Sequence, residues 1–336
     1  MVAPSLLKKL AGRRQEAIGL DIGSGSIKMA DVVLRSGKPF LKRMAIVDVP
    51  EHAIEEETIA NETLMADVLR RMAAKNGFAG CQFATALGGR SLFIREVVFP
   101  RMPEQEMRQA IHWDLEKYVP YSPDQLYFDF WVVGPGATEV EVRVLLVAAP
   151  KDVVDTLSGV MTKAGLQLAS IDIEPLAIQR TLPDTADCML IDSGAGVSQV
   201  TLFQKHSPVF TRNIPIGGNR LAEPAMVGMA TGAGQAEMAG EIDRIVGELA
   251  GEVRRTLEYY QVQNQNVSIS TVFITGGGAK IENLSAKLAT ILELPVILHD
   301  PLCGMESANS FNKQYLHCVG PQMAVAVGLA LRGVEE

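Results

Sequence analysis

The stretch Leu20-Asp21-Ile22-Gly23-Ser24-Gly25-Ser26-Ile27-Lys28 decides how the chain is read, because Ile191-Asp192-Ser193-Gly194-Ala195-Gly196 repeats its opening half a sequence later. Each copy ends an apolar run on an aspartate and then breaks into glycines. Such a turn presents backbone N–H groups and one nearby acid, which is what a phosphate chain and its metal require. Two copies predict two halves facing each other across a cleft. A third glycine element, Gly276-Gly277-Gly278, follows the apolar run Val272-Phe273-Ile274-Thr275. There the missing side chains let a base and ribose approach the backbone closely.

Composition limits the function classes. The 336 residues carry a net charge of −8, which argues against nucleic acid as a partner, since phosphate binding shows as a basic stripe. With 47% hydrophobic residues, the chain has ample material for buried cores. Cys81, Cys188, Cys303 and Cys318 show no paired spacing, so neither a disulfide framework nor a zinc site is expected. His52, His112, His206, His299 and His317 make no metal-ligand spacing either. No apolar run approaches the ~18 residues that span a bilayer. A soluble, cytoplasmic protein is the expectation. Lys8, Lys9, Arg13 and Arg14 mark residues 1–15 as a basic tail.

Working outward, strands are expected at 17–21, 26–34 and 40–49, then a helix over 62–76 and a strand over 82–87. Residues 91–150 read as a subdomain of their own, ordered strand, helix, strand, strand. Its helix opens at Pro103 and carries Met107, Ile111, Leu115 and Tyr118 on one face; Trp113 is expected in its core, with a peptide-groove anchor as the other reading. Helix 152–164 and strand 168–173 lead back, and Glu174-Pro175 opens a short helix. A long helix is expected over 237–263, a strand over 270–275 and a helix over 280–292. The small-residue segment 321–332 reads as a helix packed closely between the halves. The expected division is a first lobe over 16–185 containing the insert 91–150, a second lobe over 186–319, and a C-terminal helix, 320–336, returning to the first.

The order of these elements resembles the actin-like ATPase superfamily over nearly the whole chain. Within it, Ile111-His112-Trp113-Asp114-Leu115-Glu116-Lys117-Tyr118-Val119-Pro120-Tyr121 with Phe128-Asp129-Phe130, Ile216-Gly217-Gly218-Asn219-Arg220-Leu221, and the ending Val327-Gly328-Leu329-Ala330-Leu331-Arg332 resemble the type IV pilus assembly protein PilM family, a relative of FtsA. The resemblance implies an α/β, bilobed, actin-like (ribonuclease H-like) fold with mixed sheets and an FtsA/PilM-type insert. It also implies ATP in the interlobe cleft with weak or no hydrolysis. Asp21 and Asp192 would hold Mg2+ through waters, Lys28 would meet a phosphate, and Glu174 would position water. Gly23, Ser24, Gly25, Ser26, Gly194, Gly196, Gly276, Gly277 and Gly278 would complete the cofactor site.

By the same resemblance the partner is the N-terminal cytoplasmic peptide of a PilN-like inner-membrane protein, docked in a groove between first lobe and insert. Other pilus machinery, and peripheral association with the inner face of the inner membrane through the partner, would follow. Two other readings of the fold stay open: an FtsA-like cell-division filament protein and an actin-fold small-molecule kinase. The first normally adds a membrane-targeting helix, where Gly333-Val334-Glu335-Glu336 stands here; the second needs an Asn-Asp pair in the first lobe that is not found. Between Leu221 and Glu237, Pro224, Gly228, Gly232 and Gly234 are expected to interrupt a helix that in relatives touches adenine and ribose.

Overall fold

A computed structural model describes residues 17–231, 235–263 and 269–333; the basic tail expected over 1–15, and Gly232 and Gly234, lie outside the described residues. The chain opens on an antiparallel meander, β1 (Ile18–Ile22), β2 (Ser26–Arg35) and β3 (Lys38–Asp48). Its first turn is closed by the Gly23 N–H donating to the Ser26 carbonyl at 3.2 Å, and the register sets Asp21 directly opposite Lys28. A small hairpin follows, β4 (Ile54–Glu55) and β5 (Thr58–Ile59), then helix α1 (Glu62–Lys75) and β6 (Gln82–Leu87). Asn61 caps α1 by accepting the Leu64 N–H.

The expected insert follows: β7 (Phe93–Pro100), α2 (Glu104–Asp114), β8 (Leu126–Pro135) and β9 (Glu141–Pro150), the strands ordered β7-β9-β8. Met107, Ile111 and Leu115 of its helical segment are buried against Val97, Phe99, Val142 and Val144. Trp113 is not in that core. It is 81% exposed, because it stands two residues from both Ile111 and Leu115, and two steps of a 100° helix turn a side chain to the far face.

Helix α3 (Lys151–Lys163), β10 (Gln167–Ile173) and the short α4 (Glu174–Gln179) complete the first half. The second repeats its plan. Strands β11 (Cys188–Ser193), β12 (Ser198–Gln204) and β13 (Ser207–Ile214) form a meander; α5 (Gly218–Thr231) and α6 (Gln235–Gln263) cross over to β14 (Val272–Thr275), and α7 (Leu284–Leu292) to β15 (Val296–Leu298). The sheets are ordered β13-β12-β11-β14-β15 and β10-β6-β1-β2-β3 plus one edge strand, β16 (Glu306–Ser307). Read from opposite edges they are the same order, with antiparallel meanders and parallel later strands. The repeated motif thus occupies the same place in two halves of one duplicated plan.

Three departures from expectation are the largest. α5 continues through Pro224, so that proline does not interrupt it. The helix expected over 280–292 is split: Gly278–Lys280 is one turn of 3-10 helix, and the left-handed Asn283 precedes α7. After α8 (Lys313–Val319), a 3-10 turn over Gly320–Met323 precedes the last helix, α9 (Ala324–Leu331), which therefore starts later than expected.

Every residue of α9 is buried, as an all-apolar helix must be. One side packs on Ala30, Val32 and Leu41 of the first sheet; the other joins Ala177, Cys188, Leu190 and Phe273 across to the second. A Cβ placed on Gly19 would stand 1.8 Å from the Ala326 carbonyl oxygen, so strand and helix touch backbone to backbone.

Candidate functional site

Both aspartate turns and the glycine triplet open onto one cleft of about 810 Å³. Asp21, Gly23, Ser24, Gly25, Ser26 and Lys28 line it from β1 and β2; Asp192 and Gly194 from β11; Gly276, Gly277 and Gly278 from the end of β14; Glu174 from the head of α4. Gly196 is the exception. It stands behind its turn, where a Cβ on Gly217 would fall 2.6 Å from the Gly196 carbonyl carbon. The two turns meet at their tips: a Cβ on Gly25 would lie 2.8 Å from that of Ala195. Gly276 has φ +90°, and a side chain there would strike Asp192 Oδ1 at 2.4 Å and the Ser193 carbonyl oxygen at 2.5 Å. Glycine at 276 is therefore what lets the triplet close over the second aspartate.

The cleft gathers several carboxylates around one buried ammonium. Lys28 Nζ donates to Asp21 Oδ2 at 2.9 Å, both groups buried, so the lysine is no solvated strand end. Burial first, then the Asp21 charge, pushes the Asp192 carboxyl up to about 6, with Lys28 partly opposing. Glu174 is held well above the usual carboxylate range by burial, then by Asp192 and Asp21, with Lys28 opposing and Glu57 adding to the rise. Several carboxylates converge on one buried ammonium, an arrangement that a hydrated divalent cation relieves. Among the described residues no three acidic, His or Cys side chains are grouped so that they could hold a metal ion.

This crowding makes stability depend on pH. A carboxyl whose value rises on folding from 3.8 to about 6 binds its proton more tightly in the native state, so stability declines as pH climbs through that window. Without nucleotide, wild type is expected to lose ~2 kcal/mol more than Asp192→Asn between pH 4 and pH 7. Urea denaturation of both proteins at the two pH values checks this; parallel losses would contradict the crowding.

Two cleft residues escaped the sequence reading. Lys280 lies just past the glycine triplet, lines the cleft, and donates to Gln322 Oε1 at 2.9 Å; burial holds its ammonium below the ordinary lysine value. Its place two residues after Gly278 was the available signal. Glu57, at the β4–β5 turn, also lines the cleft, and nothing in its local sequence marks it.

A second concavity is apolar. A slot of about 60 Å³ separates the β8–β9 face from β6, β10, α3 and α4, lined by Leu87, Leu92, Trp131, Val147, Val154 and Leu176 among others. Its two carboxylates are neutralised: Arg108 reaches Asp129 at 2.7 Å, and Arg180 and Arg332 each reach Asp172 at 2.9 Å. Leu87 lines both the slot and the cleft.

Duplicated sheets around a cleft of this kind define an actin-like protein. The family model for the type IV pilus assembly protein PilM matches residues 19–334, and the chain belongs to that family. Among solved structures, a PilM-PilN type IV pilus biogenesis complex is similar with a TM-score of 0.85 and 26% identity, over 96% of this chain and 100% of that one. MreB 5 of Spiroplasma citri bound to AMPPNP shares the fold, with a TM-score of 0.51 and 12% identity over 94% of each chain. The cell division protein FtsA of Bacillus subtilis (strain 168) is 24% identical over 159 residues, a match spanning 46% of this chain and 35% of FtsA. No helix among the described residues is long and apolar enough to cross a membrane.

Proposed function

We propose that the chain is a pilus-assembly adaptor that binds Mg-ATP in its cleft and, in its apolar slot, the N-terminal cytoplasmic peptide of a PilN-like inner-membrane protein. The observation that carries the nucleotide half is the convergence of Asp21, Lys28, Glu174, Asp192 and the glycine triplet on one space of about 810 Å³, within the range of cofactor pockets. Mg2+ would be held through waters by Asp21 and Asp192, and would supply charge neutralisation along the phosphates. Lys28 adds a fixed positive charge beside the first turn. Glu174, at the head of α4, would accept a hydrogen bond from a water in the cleft. Weak or no hydrolysis is what the family resemblance implies.

The peptide half rests on the slot, whose small volume suits apolar side chains of an extended segment rather than a whole small molecule. A similar solved structure, a PilM-PilN complex, supports a PilN-like partner, and its N-terminal peptide is the occupant taken here. The same reading takes 16–185, with the insert 91–150, as first lobe, 186–319 as second and 320–336 as the returning helix. It places the protein in the cytoplasm at the inner face of the inner membrane, held there by its partner and in contact with other pilus components.

Binding is tested with a fluorescein-labelled peptide carrying the N-terminal cytoplasmic segment of a PilN-like protein. Val147→Glu puts a charge into the half-buried slot wall and is expected to weaken binding by roughly 10- to 100-fold. Trp113→Ala, outside the slot, is expected to leave it unchanged. Unchanged affinity in Val147→Glu, or loss with Trp113→Ala, would move the peptide site elsewhere.

A further inference from the structure

The β4–β5 hairpin turns through Glu56 and Glu57, both left-handed, with φ of 48° and 66°. A two-residue turn of this hand suits Asn-Gly, so both glutamates in it are held in a strained backbone conformation. The strained tip reaches the cleft and engages the loop that leaves β6. Glu57 Oε2 accepts the Arg90 N–H at 3.1 Å, and a Cβ on Gly89 (φ +64°) would lie 2.5 Å from the same oxygen. One residue earlier, a Cβ on Gly88 would fall 1.5 Å from Glu174 Oε2. Two carboxylates, one from the hairpin and one from α4, thus press on adjacent residues of one short loop. Leu87 before that loop and Leu92 after it line the apolar slot.

We propose that Glu57 is a positioning residue: it seats the 88–91 loop against Glu174 and, through Leu87 and Leu92, carries occupancy of the cleft to the apolar slot. The proposal rests on the nucleotide reading above. Asp21, Asp192, Glu174 and Glu57 share one cleft with Lys28, so a bound cation and phosphate chain alter the forces on both carboxylates that hold the loop. The slot then takes a different shape with the cleft filled, and the energy for the change comes from the nucleotide's differential affinity for the two states. A glutamine at 57 keeps the acceptor for Arg90 N–H, whereas alanine loses it.

Trp131 lines the slot, and the chain's only other tryptophan, Trp113, is exposed on α2, so Trp113→Phe leaves a single reporter. In that background, Mg-ATP is titrated into otherwise wild-type protein, Glu57→Gln and Glu57→Ala, with calorimetry in parallel and amide exchange read at Arg90. Expected are a nucleotide-dependent shift of Trp131 emission in wild type and Glu57→Gln, its loss in Glu57→Ala despite nucleotide uptake, and Arg90 exchange about tenfold faster in Glu57→Ala alone. Nucleotide uptake without a Trp131 response in wild type, or with an equal response in Glu57→Ala, overturns the link from cleft to slot. Absence of Mg-ATP uptake in wild type overturns the nucleotide reading, and the link with it. Unchanged Arg90 exchange in Glu57→Ala overturns the seating of the loop, whatever the nucleotide does.

Discussion

Gly328→Val is expected to leave no folded protein. A Cβ at 328 would stand 1.7 Å from the Ala177 carbonyl oxygen and 2.5 Å from its carbon, and both are backbone atoms that no rotamer change can clear. α9 would have to back away from α4, opening the contact between Ala177, Ile178 and Leu329 on one side and Leu190 and Phe273 on the other. Overpacking alone costs ~1–3 kcal/mol, and forced separation of a buried helix adds lost burial, so the total exceeds ~4 kcal/mol. Gly247→Ala is the control: a Cβ there meets nothing within 4 Å in the middle of α6, and it is expected to stabilise by ~0.5–1 kcal/mol. Thermal denaturation of the two variants checks both signs. A folded Gly328→Val with near-native melting would mean that α9 does not hold the two sheets together.

Gly25→Val is expected to damage the cleft while sparing the fold. The 2.8 Å approach of a Cβ to that of Ala195 is between two turn tips, and Gly25 is exposed, so added methyls force the tips apart without entering a core. The N–H groups on the two turns then no longer share one phosphate chain. A strain of ~1–3 kcal/mol converts to a loss of roughly 5- to 150-fold in Mg-ATP affinity, with the circular dichroism and melting temperature nearly those of wild type. Exchanging the small side chain across the gap, Gly25→Ala with Ala195→Gly, is expected to recover most of it. If Gly25→Val binds as wild type does, the turns do not act as a pair.

Much of this was written in the chain because local pattern and tertiary place coincide. An apolar run ending in Asp and glycines can do little but end a strand in a tight turn, and finding it twice implied the duplicated sheets. The Ala-Val-Gly character of 321–332 likewise announced a closely packed helix, which in the structure runs over Ala324–Leu331. Trp113 was misread by residue type although its spacing from Ile111 and Leu115 put it outside. The break before α7 was hidden because Asn283 takes a left-handed conformation without glycine to mark it. Glu57 and the apolar slot were beyond sequence reading for another reason. The slot is assembled from β6, β8, β9, β10, α3 and α4, and Glu57 reaches its loop across thirty-odd residues of chain, so neither leaves a local trace.

The central claim is that two aspartate turns and a glycine triplet make a single nucleotide site. Calorimetric titration of Mg-ATP into wild type and Asp192→Ala tests it most directly. Wild type is expected to take up nucleotide at one site, with affinity roughly 10- to 100-fold weaker in Asp192→Ala and insensitive there to magnesium. Equal uptake by the two proteins, with the same magnesium dependence, would contradict the account.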